Sequence, residues 1–151
     1  MRLFRRSSHS ASRAAHVAGP PMTAGTPLTA ALTGVRIVLV EDHDDTRNML
    51  AQVFRQLGAT VSSATAAREA LGMLAEADIV LTDFALPGED GVWLLDQVHK
   101  VARPIPVIAL SGFAESEEPR LSEAPFIRKL LKPVDPWALA DTIREVVRAR
   151  W

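Results

Sequence analysis

Short apolar runs that each end abruptly in polar or charged residues are the feature that most constrains the fold of this chain. The first run, Val-Arg-Ile-Val-Leu-Val at residues 35–40, is β-branched and almost wholly apolar, as in a parallel strand covered on both faces. Further strands are predicted at residues 60–64, 79–82, 107–110 and 126–131. Helical segments separate these runs, so the sequence predicts an α/β fold: a single doubly wound (βα)5 domain with a five-stranded parallel sheet.

The helices between these strands are predicted from apolar periodicity and from residues that begin or end helices. The first begins at an N-cap, Asp44 or Asp45, ends at Gly58, and has an apolar face made of Met49, Leu50, Val53, Phe54 and Leu57. The others are a helix over residues 66–75, one capped by Asp90, one within 115–124 with Pro119 in its first turn, and a last one that opens at Asp135-Pro136.

The first 34 residues differ in composition from the rest of the chain. They contain Arg2, Arg5, Arg6 and Arg13 but none of the 18 acidic residues, and they are rich in Ser, Ala and Pro. We therefore predict a disordered basic leader over residues 1–34 and a folded domain over residues 35–151. The leader is interpreted as a flexible tail or as the product of a start codon assigned too early, with Met22 as the alternative start; a targeting segment is the other interpretation.

Composition excludes several classes of protein. The chain of 151 residues has no Cys, so disulfides, thiolate metal sites and a Cys nucleophile are excluded. It has no apolar stretch near the roughly 18 residues that span a bilayer. A cytoplasmic protein without membrane contact is the expectation. After residue 133 the chain has room for one helix but not for a helix-turn-helix or a basic groove-reading element, so direct nucleic-acid binding is not expected.

Polar residues at the carboxyl ends of the predicted strands form the candidate site, because ligands of parallel α/β sheets bind at that edge. They are Glu41 and Asp42, Asp83, Ser111 and Lys132. Three carboxylates together repel unless a cation joins them, and oxygen ligands in a hydrated cleft suit Mg²⁺. Lys132 and Ser111 would then face a further anion. Each residue alone also fits a structural role: solvated acids at a helix start, a strand-end aspartate, a turn serine and a turn lysine.

The same residues, in the same order, resemble the receiver domain of two-component response regulators. The resemblance rests on the acidic pair after strand one, Asp83 followed by Leu-Pro-Gly-Glu-Asp-Gly after strand three, Ser111 after strand four and Lys132-Pro133 after strand five. It implies a flavodoxin-like strand order, 2-1-3-4-5. It also implies that Asp83 accepts a phosphoryl group from a sensor histidine kinase or a histidine phosphotransfer protein.

The resemblance assigns the other residues as well. Glu41 and Asp42 match the acids that bind Mg²⁺, with Asp83 and the backbone carbonyl of Ala85 as further ligands. Ser111 matches the switch hydroxyl and Lys132 the lysine that contacts the phosphoryl group. His43 is interpreted as a solvated or capping residue.

Three positions and the length of one segment depart from the family pattern. Glu replaces Asp at position 41, Pro125 stands where Gly is usual, and Lys129 stands where an aromatic residue often reports the switch state. The segment between Ser111 and Lys132 is one residue short, which leaves the length of helix four open.

Several functions fit this sequence. The leading one is a stand-alone receiver that signals by phosphorylation-dependent partner binding or homodimerisation, through a face of helix four, strand five and helix five that carries Lys129 and Trp137. A phosphotransfer intermediate or phosphate sink is the main alternative, and Trp93 is a second candidate for an exposed ring. A pseudo-receiver scaffold conflicts with the complete site, and a hydrolase with an Asp nucleophile lacks a second aspartate, because position 85 is Ala.

Overall fold

Five parallel strands form one sheet in the computed structural model, which describes residues 30 to 150. In chain order the strands are β1 Arg36–Val40, β2 Thr60–Ala64, β3 Ile79–Asp83, β4 Val107–Ser111 and β5 Arg128–Leu131. Their order across the sheet is β2-β1-β3-β4-β5, and every neighbouring pair is parallel. The predicted doubly wound fold and its strand order are confirmed. β5 begins two residues later than predicted, at Arg128.

Five α-helices accompany the strands within residues 30 to 150: four lie between successive strands in the chain, and one follows β5. They are α1 Asp44–Gln56, α2 Ala67–Ala70, α3 Gly91–Val98, α4 Pro119–Glu123 and α5 Pro136–Arg150. A 3-10 helix, Leu71–Glu76, continues α2, and another, Glu115–Glu117, precedes α4. Helix four, whose length the sequence left open, is therefore short. Within residues 30 to 150, no helix is both long and apolar enough to cross a membrane.

The sheet separates two apolar cores because side chains alternate along each buried strand. Ile37 and Leu39 of β1 pack with α1 and α5, whereas Val38 and Val40 pack with α2, α3 and α4. Both faces of the central strands are thus covered. The polar residues at the strand ends are left at the edge of the sheet.

The helix starts confirm two of the predicted caps and correct a third. Asp90 accepts a hydrogen bond from the backbone N of Trp93 (3.0 Å), and Asp135 accepts one from Ala138 (2.8 Å). The prediction that Asp44 or Asp45 caps α1 is wrong: His43 occupies the N-cap position and makes no capping bond through its side chain. The two aspartates lie inside the first turn, where their charge still favours the helix dipole.

The apolar face predicted for α1 is only partly buried. Leu50, Phe54 and Leu57 are buried, but Met49 is 42% exposed. Met49 instead lines a cavity of about 380 Å³ with Pro133 and Val134, beyond the end of the sheet.

The domain begins earlier than the predicted boundary at residue 35. Leu32 is fully buried in the core shared with α1 and α5, and its backbone N donates to the carbonyl of Leu57 (2.8 Å). Composition alone missed this contact, because one leucine in a Thr- and Ala-rich segment gives no periodic signal. The remainder of the predicted leader, residues 1–29, lies outside the described residues.

We expect Leu32→Ala to lower the free energy of unfolding by about 2 to 4 kcal/mol, since it removes a fully buried side chain and leaves a cavity. Urea denaturation measures the loss. Leu131→Ala is the matched control: Leu131 is 55% exposed, so the same substitution should cost less than about 0.5 kcal/mol. Equal effects of the two substitutions would contradict the docking of residues 30–34 on the domain.

Candidate functional site

The predicted site residues meet at the carboxyl edge of the sheet. Glu41 directly follows β1, Asp83 ends β3, Ser111 ends β4 and Lys132 directly follows β5. Because these four strands are neighbours in the order β1-β3-β4-β5, their carboxyl ends lie side by side. Strands from distant parts of the chain thus bring the residues together.

Lys132 bridges two buried carboxylates. Its Nζ lies 2.5 Å from Oδ1 of Asp83 and 3.2 Å from Oε1 of Glu41. The acidic side chains are 4% and 1% exposed, whereas that of Lys132 is 29% exposed. Burial would lower the pKa of Lys132, but the two carboxylates outweigh burial and raise it. The ammonium is therefore the counter-ion of a buried acidic pair, which would be costly without one.

The pKa values of the two carboxylates are shifted in opposite directions. Burial raises the pKa of Asp83 to about 7, and its hydrogen bond with Glu41 adds to this effect against the opposing influence of Lys132. For Glu41 burial acts in the same direction, but the hydrogen bond with Asp83, the backbone of His43 and the charge of Lys132 outweigh it and lower the pKa.

The donor atoms at this edge fit a divalent cation. Carboxylate oxygens of Glu41, Asp42 and Asp83, together with a ring nitrogen of His43, lie within 4.8 Å of one another. Oδ1 of Asp83 is buried and contacts the ammonium of Lys132 at 2.5 Å. Three carboxylates that share one ammonium are a donor set suited to Mg²⁺. Ala85 lies exposed two residues beyond Asp83, and its carbonyl stays a predicted ligand.

Comparison with known proteins decides the family. Residues 37–144 match the response regulator receiver domain. The chain belongs to this family. It is similar to an uncharacterised 14.6 kDa protein of Leptolyngbya boryana, with 32% identity over 119 residues that make up 76% of this chain and 91% of the relative.

Two further similarities concern a longer regulator and a solved structure. The hydrogenase transcriptional regulatory protein HoxA of Cupriavidus necator is 36% identical over 120 residues, 76% of this chain but only 24% of HoxA. A CheY-like receiver domain protein of Methanospirillum hungatei has a crystal structure with a TM-score of 0.69 and 27% identity, covering 77% of this chain and 95% of the other. The likeness to HoxA therefore concerns its receiver segment.

The hydroxyl of Ser111 is engaged within its own loop. It accepts a hydrogen bond from the backbone N of Phe113 (2.8 Å) and donates one to the carbonyl of the same residue (3.0 Å). Ser111 is buried, whereas Phe113 is 50% exposed. Ser111 thus forms the local turn that its residue type favours.

Arg47 binds the backbone at the end of β1, and this role was not predicted from the sequence. Its guanidinium donates to the carbonyl of Glu41 (3.0 Å) and to Oδ1 of Asp44 (2.6 Å), and its side chain is only 14% exposed. The signal in the sequence is an arginine one turn after the acidic pair, within the first turns of the following helix. Arg47 therefore fixes the backbone from which Glu41 projects.

The loop after Asp83 is tied to α4 by an ion pair. Arg120 forms a short, charge-assisted hydrogen bond with Oδ2 of Asp90, the residue that caps α3. Burial would raise the pKa of Asp90, but the hydrogen bonds from Arg120 and from the backbone of Trp93 outweigh it and lower the pKa. The loop after β3 is thereby joined to α4.

We expect Asp90→Ala to lower the free energy of unfolding at pH 7 by about 1 to 2 kcal/mol, because α3 loses its N-cap and Arg120 its partner. Since the folded state lowers the pKa of Asp90, this stabilisation is present above the unfolded pKa near 4 and is lost as the pH falls through the folded value. Urea denaturation of both proteins between pH 7 and pH 3 measures the difference. A difference that stays constant over this range would contradict the assignment.

The face predicted for output has the expected exposed ring at Trp137 but not an exposed charge at Lys129. Trp137 is 45% exposed, but the side chain of Lys129 is only 16% exposed and donates to the carbonyl of Ser122 (2.8 Å), with Glu115 at 3.5 Å. Lys129 therefore ties β5 to α4 rather than presenting a free charge. Trp93 is half-buried beneath Arg68, whose guanidinium carbon lies 5.0 Å from the ring centroid, so it folds over its neighbours.

Proposed function

We propose that this receiver accepts a phosphoryl group on Asp83 from the phosphohistidine of a sensor histidine kinase or a histidine phosphotransfer protein. The observation that carries the proposal is the contact between the buried carboxylate of Asp83 and the ammonium of Lys132 at the end of β3. An oxygen of Asp83 attacks phosphorus, the phosphorus–nitrogen bond of the donor breaks, and its electron pair remains on the histidine. The products are an acyl phosphate on Asp83 and a free histidine.

The residues around Asp83 position the reactants and balance charge. Lys132 is placed to stabilise negative charge on the transferred oxygens, since it already contacts the nucleophile. Glu41, Asp42 and Asp83, with the carbonyl of Ala85, would hold Mg²⁺. When bound, Mg²⁺ neutralises charge on the phosphoryl oxygens. Ser111 supplies a hydroxyl that can turn from Phe113 towards the acyl phosphate.

Phosphorylation with a small donor tests this function. We expect the protein to gain one phosphoryl group from phosphoramidate in the presence of Mg²⁺, and Asp83→Asn to gain none, as measured by intact mass. Asp96→Asn, which changes an exposed aspartate of α3, is the matched control and should be modified like wild type. Equal modification of Asp83→Asn and wild type, or no modification of wild type in Mg²⁺, would overturn the assignment.

The output of the same proposal is phosphorylation-dependent association in the cytoplasm, with a partner protein or a second copy of the chain. The proposed surface is the face of α4, β5 and α5, on which Leu131 and Trp137 are large, exposed apolar side chains. Because Lys129 is bound to Ser122 and Glu115, Trp137 is the residue expected to anchor the contact.

Self-association with and without beryllofluoride and Mg²⁺, measured by analytical ultracentrifugation, tests this surface. We expect the phosphoryl mimic to strengthen association of wild type, and Trp137→Ala to weaken it by about tenfold or more. Met49→Ala removes an exposed apolar side chain from α1 and should behave like wild type. If the protein stays monomeric, the same variants are compared in pull-downs from a lysate of the source cells. Association that ignores both the mimic and Trp137→Ala would exclude this face as the output surface.

A further inference from the structure

His43 faces the acidic pair rather than the helix that it precedes. Its Nδ1 lies 3.2 Å from Oε2 of Glu41 and 3.6 Å from Oδ1 of Asp42, and its backbone N donates to Oε2 of Glu41 (3.1 Å). As N-cap of α1 it makes no capping bond through its side chain. The imidazole is therefore held over the carboxylates, although its side chain is 74% exposed.

The position of the ring is compatible with metal ligation. One donor atom from each of Glu41, Asp42, His43 and Asp83 lies within 4.8 Å of the others. Ligand atoms about 2.1 Å from a tetrahedral metal are roughly 3.4 Å apart, so the donors need to approach by only about an ångström. The exposed side chain of His43 and the partly exposed side chain of Asp42 are free to make that movement.

The charge balance of this cluster is a second observation. Oδ1 of Asp83, on a side chain that is 4% exposed, contacts the ammonium of Lys132 at 2.5 Å. This one positive charge faces the carboxylates of Glu41, Asp42 and Asp83. A divalent cation would supply the missing charge.

We propose that His43 is a nitrogen ligand at this site and gives it a preference for first-row transition ions, such as Zn²⁺ and Ni²⁺, over Mg²⁺. The inference rests on the metal site of the proposed function but assigns it a different donor set. Mg²⁺ takes oxygen ligands, whereas imidazole suits Zn²⁺ and Ni²⁺, which also bind mixed nitrogen and oxygen sites more tightly than the earlier metals of the row. The ring nitrogen must be unprotonated to bind, so Nδ1 gives up its hydrogen bond to Glu41 on ligation.

Calorimetry on protein without an affinity tag, freed of metal by EDTA and dialysed, tests the inference with ZnCl₂, NiCl₂ and MgCl₂. We expect Zn²⁺ and Ni²⁺ to bind wild type at least about 100-fold more tightly than Mg²⁺. His43→Gln should weaken Zn²⁺ and Ni²⁺ by at least about tenfold and change the Mg²⁺ affinity less than about twofold. His99→Gln, at an exposed histidine beyond α3, is the matched control and should bind all three ions like wild type.

Co²⁺ gives an independent readout, since its visible absorption reports nitrogen donors directly. Replacement of His43 by Gln should change the spectrum of the Co²⁺ complex, and replacement of His99 should not. Equal Zn²⁺ affinity in wild type and His43→Gln would overturn the inference. Equal weakening of Zn²⁺ and Mg²⁺ would also overturn it, because His43 would then only position Glu41. Neither readout depends on phosphorylation, so a failed phosphoryl transfer to Asp83 would leave this test standing.

Discussion

Lys132→Met is expected to slow phosphorylation of Asp83 by phosphoramidate by about 100-fold or more, the loss typical of removing one preorganised charge from a transferring group. The ammonium of Lys132 lies 2.5 Å from Oδ1 of Asp83, the proposed nucleophile. Methionine keeps the length of the side chain but removes this charge. The rate is measured by intact mass at fixed Mg²⁺. Lys100→Met is the matched control, because Lys100 is exposed at the end of α3.

The same variant separates a role in charge stabilisation from a role in folding. Without the ammonium, the buried carboxylates of Asp83 and Glu41 lose their counter-ion, so we expect a lower melting temperature. Added Mg²⁺ should raise that temperature more in the variant than in wild type, because a divalent cation then meets uncompensated charge. A folded variant that is phosphorylated at the wild-type rate would contradict the role proposed for Lys132.

Gly91→Ala is expected to lower the free energy of unfolding by about 2 to 3 kcal/mol and to impair phosphorylation as well. A Cβ at this position would lie 2.7 Å from the carbonyl oxygen of Asp83 and 3.0 Å from the Cα of Phe84, both of which are backbone atoms. The start of α3 or the end of β3 must therefore move. Asp83, the proposed nucleophile, ends β3 and is displaced if that strand moves.

Gly72→Ala is the matched control for this substitution. No atom lies within 4 Å of a Cβ at Gly72, and alanine favours helical backbone, so the change should be neutral or slightly stabilising. Urea denaturation and the phosphorylation rate are measured for both variants. An unchanged stability of Gly91→Ala would show that the close approach of α3 to Asp83 is not required.

The sequence predicted which residues meet at this edge of the sheet, because they lie directly at strand ends, where fold class alone determines position. Asp83 and Lys132 are 49 residues apart, yet each lies at the carboxyl end of a strand of one parallel sheet, so they meet at one edge. The cap of α3 was equally local, since Asp90 lies next to the glycine that begins the helix. These predictions needed no knowledge of side-chain partners.

The misses depend on contacts that no sequence pattern marks. The burial of Leu32 requires Leu57, and the loss of a free charge at Lys129 requires Ser122 and Glu115. Neither contact has periodicity or spacing that marks it in the sequence. At the start of α1, the adjacent Asp44 and Asp45 left the cap ambiguous, and the path of the backbone placed His43 there.

Under the proposed function, the closed turn at Ser111 would set how often the unphosphorylated receiver signals. To adopt the arrangement in which its hydroxyl faces Asp83, the serine gives up both hydrogen bonds to Phe113 before an acyl phosphate exists to replace them. Two such bonds are worth about 1 to 3 kcal/mol net, so under the proposed function roughly 1 to 15% of resting molecules adopt the active arrangement. Low basal signalling is thus a property of the loop after β4, and the donor of the phosphoryl group need only overcome a bias of this size.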